Sequence, residues 1–167
     1  LFLPKVEMDS LLFSPADPMT LSYLEGETLY MMNLKDKRAQ ELAKNVEAYA
    51  WFPSADRIAF VQKDVLVVLQ LKKGKETRYS LEQAPRLSKA NRLAVSPDGQ
   101  KIVYVSDKTG GGDLFVYDLL TKTATNLTLT EDWSESAPQW SSDGNKLLFL
   151  RSADPKNAES VVPVILT

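Results

Sequence analysis

The chain has 167 residues, 44% hydrophobic and 25% charged, with nine prolines, seven glycines, and neither cysteine nor histidine. That is enough apolar material for a sizeable core, and a formal charge of −2 offers no bulk attraction for nucleic acid. Without His or Cys the chain lacks a Ser-His-Asp triad, a thiol nucleophile, a disulfide framework and any imidazole or thiolate metal ligand, so neither catalysis, cofactor nor metal is expected within it.

No run approaches the roughly eighteen apolar residues of a membrane span, so membrane insertion is not expected. The start, Leu1-Phe2-Leu3-Pro4-Lys5, has neither an initiator Met nor a basic-then-apolar signal pattern, as expected of a mature or excised piece. Four stretches then share an order of features: an aromatic or aliphatic residue, a small polar or proline pair, a turn, and an apolar strand containing an aromatic. They are Phe13-Ser14-Pro15-Ala16-Asp17, Trp51-Phe52-Pro53-Ser54-Ala55-Asp56, Val95-Ser96-Pro97-Asp98-Gly99 and Trp140-Ser141-Ser142-Asp143-Gly144. The strand aromatics that follow, Tyr23, Phe60, Tyr104 and Phe149, lie 37, 44 and 45 residues apart. That spacing fits a four-stranded propeller blade and is too long for a leucine-rich repeat.

Within the repeats, Lys101-Ile102-Val103-Tyr104-Val105 and Asp113-Leu114-Phe115-Val116-Tyr117 are nearly continuous apolar runs, as strands buried on both faces require. The stretch 124–129 alternates and reads as a strand. Lys37-Arg38-Ala39-Gln40-Glu41-Leu42-Ala43-Lys44 has helical composition, but its place in the repeat predicts a fourth strand. Asp98-Gly99 and Asp143-Gly144 supply the positive φ of tight turns, with the aspartates as turn hydrogen-bonding groups rather than catalytic carboxylates.

Leu93-Ala94-Val95-Ser96-Pro97-Asp98-Gly99-Gln100-Lys101-Ile102-Val103-Tyr104-Val105-Ser106 resembles the WD40-like repeat of TolB-type β-propellers and of the propeller domains of prolyl-oligopeptidase-type enzymes. Ala137-Pro138-Gln139-Trp140-Ser141-Ser142-Asp143-Gly144-Asn145-Lys146-Leu147-Leu148-Phe149 is a second good copy. Ser96, Pro97, Asp98, Gly99, Trp140, Asp143 and Gly144 carry the motif, while the first two repeats lack its turn glycine. The expected fold is an all-β propeller of about four blades, at 11–44, 49–83, 91–130 and 137–167, with residues 1–6 a d strand of a closing or preceding blade. Three ring arrangements are open: closure of four blades, four blades of a six- to eight-bladed propeller, and self-association of two incomplete rings.

Sorting charges by loop predicts one end rich in Lys35, Lys37, Arg38, Lys72, Lys73, Lys75, Lys101, Lys122 and Lys146. The other end collects Glu7, Asp9, Glu25, Glu27, Glu47, Glu82, Asp107, Asp113, Asp154, Glu159 and the Glu131-Asp132-Trp133-Ser134-Glu135 connection, with a minority of Lys and Arg. Trp133, with Glu131, Asp132 and Glu135, is the candidate binding set for a protein or peptide partner, because an exposed Trp offers large apolar area at low entropy cost. The glycine-rich stretch Asp107-Lys108-Thr109-Gly110-Gly111-Gly112-Asp113 fits neither a phosphate loop nor a calcium loop and reads as a hairpin. The basic run Lys72-Lys73-Gly74-Lys75 is too local to be a nucleic-acid face. The family resemblance implies a noncatalytic interaction platform in the bacterial periplasm or envelope. It equally implies the propeller segment of a serine peptidase whose catalytic domain lies outside this chain.

Overall fold

In the computed structural model the described residues are 10–63, 65–81, 93–106, 112–130, 132–154 and 160–167. Their regular structure is entirely β. The first sheet contains β1 (Leu12–Phe13), β2 (Thr20–Glu25), β3 (Thr28–Asn33) and β4 (Arg38–Ala43). The second contains β5 (Ala48–Trp51), β6 (Arg57–Gln62), β7 (Val65–Gln70) and β8 (Lys75–Ser80). The third contains β9 (Leu93–Val95), β10 (Lys101–Ser106), β11 (Asp113–Asp118) and β12 (Thr123–Asn126). The fourth contains β13 (Ser134–Trp140), β14 (Leu147–Ser152) and β15 (Val161–Leu166). Each sheet is an antiparallel meander in chain order, and the four are arranged as the blades of a propeller. The strand expected within residues 1–6 lies outside the described residues.

The second strand of each inner sheet explains the packing. Side chains alternate between the two faces of a strand, so a strand sandwiched between neighbouring sheets needs apolar residues at every position. Ile58 and Phe60 of β6 pack toward the first sheet, in a cluster with Leu29, Trp51 and Val67. Ala59 and Val61 turn toward the third sheet, where they meet Ile102, Tyr104 and Phe115. Val103 and Val105, on the opposite face of β10, pack with Leu147 and Phe149 of the fourth sheet. Each such side chain, fully buried, contributes about 1.5–3 kcal/mol. Sheet-on-sheet burial therefore outweighs any single turn.

The outer strands behave differently. Arg38–Ala43 pairs with β3 as a strand despite its helical composition, because ladder pairing overrides a propensity difference of less than about 1 kcal/mol per residue. The strand expected over 124–129 ends at Asn126, since the Asn126 Oδ1 accepts the amides of Thr128 and Leu129 and Leu129 takes φ +46°. The fourth sheet starts at Ser134, ahead of the expected 137, and carries a bulge between Ser136 and Gln139, with Ala137 at φ +49°.

The turn motif is built as its residues dictate. Ser96 Oγ donates to Asp98 Oδ1 at 2.5 Å and accepts the Lys101 amide at 2.9 Å, while Asp98 Oδ1 also accepts the Gln100 amide at 3.0 Å. Ser141, Asp143, Asn145 and Lys146 repeat this pattern. The serine hydroxyl is the leading cause that holds each aspartate below its ordinary carboxylate range. Gly99 sits at φ +69°, and an added Cβ would stand 3.4 Å from Arg57 Nη2 and 3.5 Å from Phe52. In the second repeat Ala55 occupies the equivalent place at φ +55°, its amide bonded to Phe52 O as Gly99 is to Ser96 O. The missing glycine is therefore replaced by a left-handed alanine rather than by another turn geometry.

Tyr104 is fully buried and stacks on Phe115 at 5.6 Å between ring centroids. Its hydroxyl has no hydrogen-bond partner among the described residues, and burial raises its pKa. Two outcomes are expected. Gly99→Val destabilises the protein by about 1–2 kcal/mol, a thermal shift of several degrees, whereas an unchanged melting temperature contradicts the turn assignment. Tyr104→Phe leaves stability unchanged or raises it by up to about 1 kcal/mol in denaturant titration, and a clear loss means that the hydroxyl is satisfied.

Candidate functional site

The densest polar arrangement among the described residues lies at the seam between the third and fourth sheets. It begins at Gly112, φ +101°, where an added Cβ would meet Ser134 Oγ at 3.2 Å and the Glu135 amide nitrogen at 3.9 Å. That close approach lets the Glu135 amide donate to Gly112 O at 2.9 Å and draws the start of β13 against β11. A side chain there would crowd Ser134 Oγ and hold a strained positive φ, which glycine avoids.

Asp113 follows at the head of β11 and is buried. Its Oδ2 accepts from Asn126 Nδ2 at 2.8 Å, and its Oδ1 accepts the Thr130 amide at 2.9 Å. Asn126 therefore serves as a structural link rather than a free surface amide. The hydroxyls of Thr128 and Thr130 also reach Asp113 Oδ1, at 3.1 and 3.0 Å.

Glu135 stands opposite on β13. It was grouped by sequence with an exposed acidic patch, but its carboxylate is 0% exposed and faces the interior. Arg151 Nε of β14 donates to Glu135 Oε1 at 2.9 Å, and the Thr130 hydroxyl lies 3.0 Å from the same oxygen. Burial is the leading influence on this carboxyl and pushes its pKa upward. Thr130 and Arg151 oppose the shift, and Asp113 reinforces it. The reason is period two: in a strand starting at Ser134, the next residue faces the neighbouring sheet.

Trp133 precedes the strand and stays at the rim, 38% exposed, with Asp132 exposed beside it. The Arg151 guanidinium lies 6.0 Å from the Trp133 ring centroid and 5.5 Å from that of Phe149. Of the candidate set, the structure thus brings Trp133 and Asp132 to the surface and sends Glu135 beneath them. Glu131 lies outside the described residues. Arg151, Asp113, Thr128 and Thr130 were not legible as members of this arrangement, because their meeting depends on how two sheets stack.

The first strands of the four sheets converge on a cavity of about 320 Å³, whose lining includes Leu12, Tyr49, Trp51, Val95 and Gln139. At the seam between the first and second sheets, Trp51 Nε1 donates to Ser22 Oγ at 2.8 Å, and Tyr49 Oη donates to Ser10 O. Those polar groups are thereby committed to holding two sheets together. The expected basic end is tempered: the same turns also carry Asp17, Asp36, Asp56, Asp98, Asp118 and Asp143. No group of three or more His, Cys, Asp or Glu side chains among the described residues is placed to hold a metal.

The seam predicts a specific sensitivity. Thr130→Val, which keeps the shape but deletes the hydroxyl between two buried carboxyls, destabilises the protein by about 1–3 kcal/mol in denaturant unfolding. An effect near zero contradicts the bridging geometry.

No protein-family model and no curated protein matches the sequence. Solved structures do. TolB from Acinetobacter baumannii superimposes with a TM-score of 0.73 at 17% identity, covering 95% of this chain and 43% of TolB. An auxiliary nutrient binding protein from Bacteroides thetaiotaomicron gives 0.63 at 18% identity, over 94% of this chain and 41% of that one. The tricorn protease gives 0.62 at 17% identity, over 90% of this chain and 17% of the protease. The chain thus spans less than half the length of each of these three proteins. With the repeat motif, the four sheets and these superpositions together, the fold is that of a TolB-type β-propeller.

Proposed function

We propose that the chain is a noncatalytic propeller that presents a rim surface to a protein or peptide partner in a bacterial envelope or periplasmic assembly. The observation that carries this reading is the seating of Trp133. A large aromatic is left partly exposed beside Asp132, while Glu135, two residues on, is buried and holds Arg151, whose guanidinium lies near the Trp133 ring. Preorganised aromatic anchors bind well because little entropy is lost on association. The proposed location rests on the likeness to TolB, and the nutrient-binding structure supports ligand or partner recognition in general terms.

A second reading is favoured by the superposition on the tricorn protease: a propeller segment of a peptidase whose catalytic domain lies elsewhere. The two readings differ in what accompanies these sheets, so the domain content of the natural polypeptide separates them.

Trp133→Ala tests the first reading. Partners captured from a bacterial envelope fraction by the wild-type protein are identified by mass spectrometry, and their affinity for both forms is then measured. The expected loss is tenfold or more with a melting temperature within about 2 °C of wild type. Undiminished affinity, or a parallel collapse of stability, overturns the assignment of Trp133 as a recognition residue.

A further inference from the structure

The first strand of each sheet is paired on one side only, and the cavity of about 320 Å³ lies where those strands converge. The ladders fix which backbone groups face it. Phe52 donates its amide to Arg57 O at 3.1 Å, in register with Ala50 opposite Ala59. Bonded and unbonded positions alternate along an antiparallel pair, so Phe52 and Ala50 turn their N–H and C=O to β6, while Tyr49 and Trp51 turn theirs to the free edge of β5. By the same rule Ser96, whose amide donates to Lys101 O at 2.8 Å, leaves Val95 with its N–H and C=O on the free edge of β9.

Those free-edge groups have no hydrogen-bond partner among the described residues, although every residue of β5 is buried. A backbone group left unpaired away from water costs about 1–3 kcal/mol, and native structures rarely leave one so. Gln139 also lines the cavity, and its side-chain amide has no partner among the described residues. Most of the remaining lining is apolar, with Leu12, Leu93, Ala94 and Pro138 among it. Such a wall suits water poorly, since each buried water needs about two to four polar partners. A straight edge whose donors and acceptors recur at every second residue matches an extended peptide instead.

We propose that the central cavity is a peptide site, in which a short extended segment with small apolar side chains adds to the free edge of β5. The N–H and C=O groups on one side of the segment pair with Tyr49 and Trp51, and those on its other side meet the Val95 backbone and the Gln139 amide. The apolar lining sets the side-chain preference. The volume suits about three residues, which span about 10 Å when extended. Trp133 is not part of the lining, so this site is separate from the rim surface and does not depend on it.

The test titrates the ¹⁵N-labelled full chain with the blocked peptide acetyl-Ala-Val-Ala-amide. The Tyr49, Trp51 and Val95 amide resonances are expected to shift together, with one dissociation constant of about 1 mM or tighter. Hydrogen exchange at Tyr49 and Trp51, fast in the free protein, is expected to slow about tenfold once the peptide stands at about ten times that constant. An analogue in which each residue's N–H is replaced by an ester oxygen keeps the shape and loses the donors. It is expected to bind about tenfold more weakly or worse.

Slow exchange of Tyr49 and Trp51 in the protein without peptide means that the edge is already paired from within, and overturns the site. So do unmoved Tyr49 and Trp51 resonances at about 10 mM peptide, or equal affinity for the ester analogue. Trp133→Ala is expected to bind the peptide as the wild type does, whereas loss of binding in that variant places the peptide at the rim and overturns the cavity site. The readouts need no physiological partner, so failure of the rim reading leaves the cavity site standing, and the reverse also holds.

Discussion

A strand that is buried on both faces can choose neither a polar side nor a free neighbour, and the second strands of the middle sheets obey that constraint. Ile58 and Phe60 look one way from β6, and Ala59 and Val61 look the other. Ile102 and Tyr104 look one way from β10, and Val103 and Val105 look the other. Sheet order, sheet spacing and the convergence of first strands on a central cavity all follow from satisfying both faces at once. The fourth sheet is the instructive exception. Leu147 and Phe149 are buried against the third sheet, but Leu148 and Leu150, the register equivalents of Val103 and Val105, are 41% and 37% exposed.

Among the described residues, the buried side-chain polar groups of the seams are hydrogen-bonded, the Tyr104 hydroxyl excepted. Ser22, Tyr49 and Trp51 close the seam between the first two sheets, and Asp113, Glu135, Arg151 and two threonines close that between the last two. Such networks add less net stability than apolar packing of equal volume, but they fix one register against its neighbours. Here the fixed register has a functional consequence. The chain leading into the buried Glu135 comes from the rim, and Trp133, two positions before it and just ahead of β13, stays partly exposed there. A structural carboxyl and an exposed aromatic are thus two products of the same strand start.

Much of this was legible in the sequence because it is local. The repeat spacing, the strand aromatics Tyr23, Phe60, Tyr104 and Phe149, and the Ser-x-Asp-Gly turns each depend on residues a few positions apart. Gly99 and Gly144 take the positive φ that their place in the motif requires. What was not legible is what depends on sheet stacking. A run of acidic residues around Trp133 looks like one exposed patch in sequence, yet the alternation of β13 sends Glu135 inward to Arg151, sixteen positions away. Likewise, the turn aspartates that dilute the basic end belong to the motif itself, and only the folded arrangement places them among the lysines. Ala55 at φ +55° could not be inferred from composition, since alanine carries no sign of a left-handed turn.

The two-faced burial of the second strands is tested most directly by residue-resolved amide hydrogen exchange. Slow exchange reports opening of the units that carry most of the packing. The account predicts the slowest amides in β6, β7, β10 and β11, with β14 exchanging measurably faster because one of its faces is partly exposed. Protection of β14 equal to that of β10, or uniformly fast exchange through β6 and β10, would contradict it.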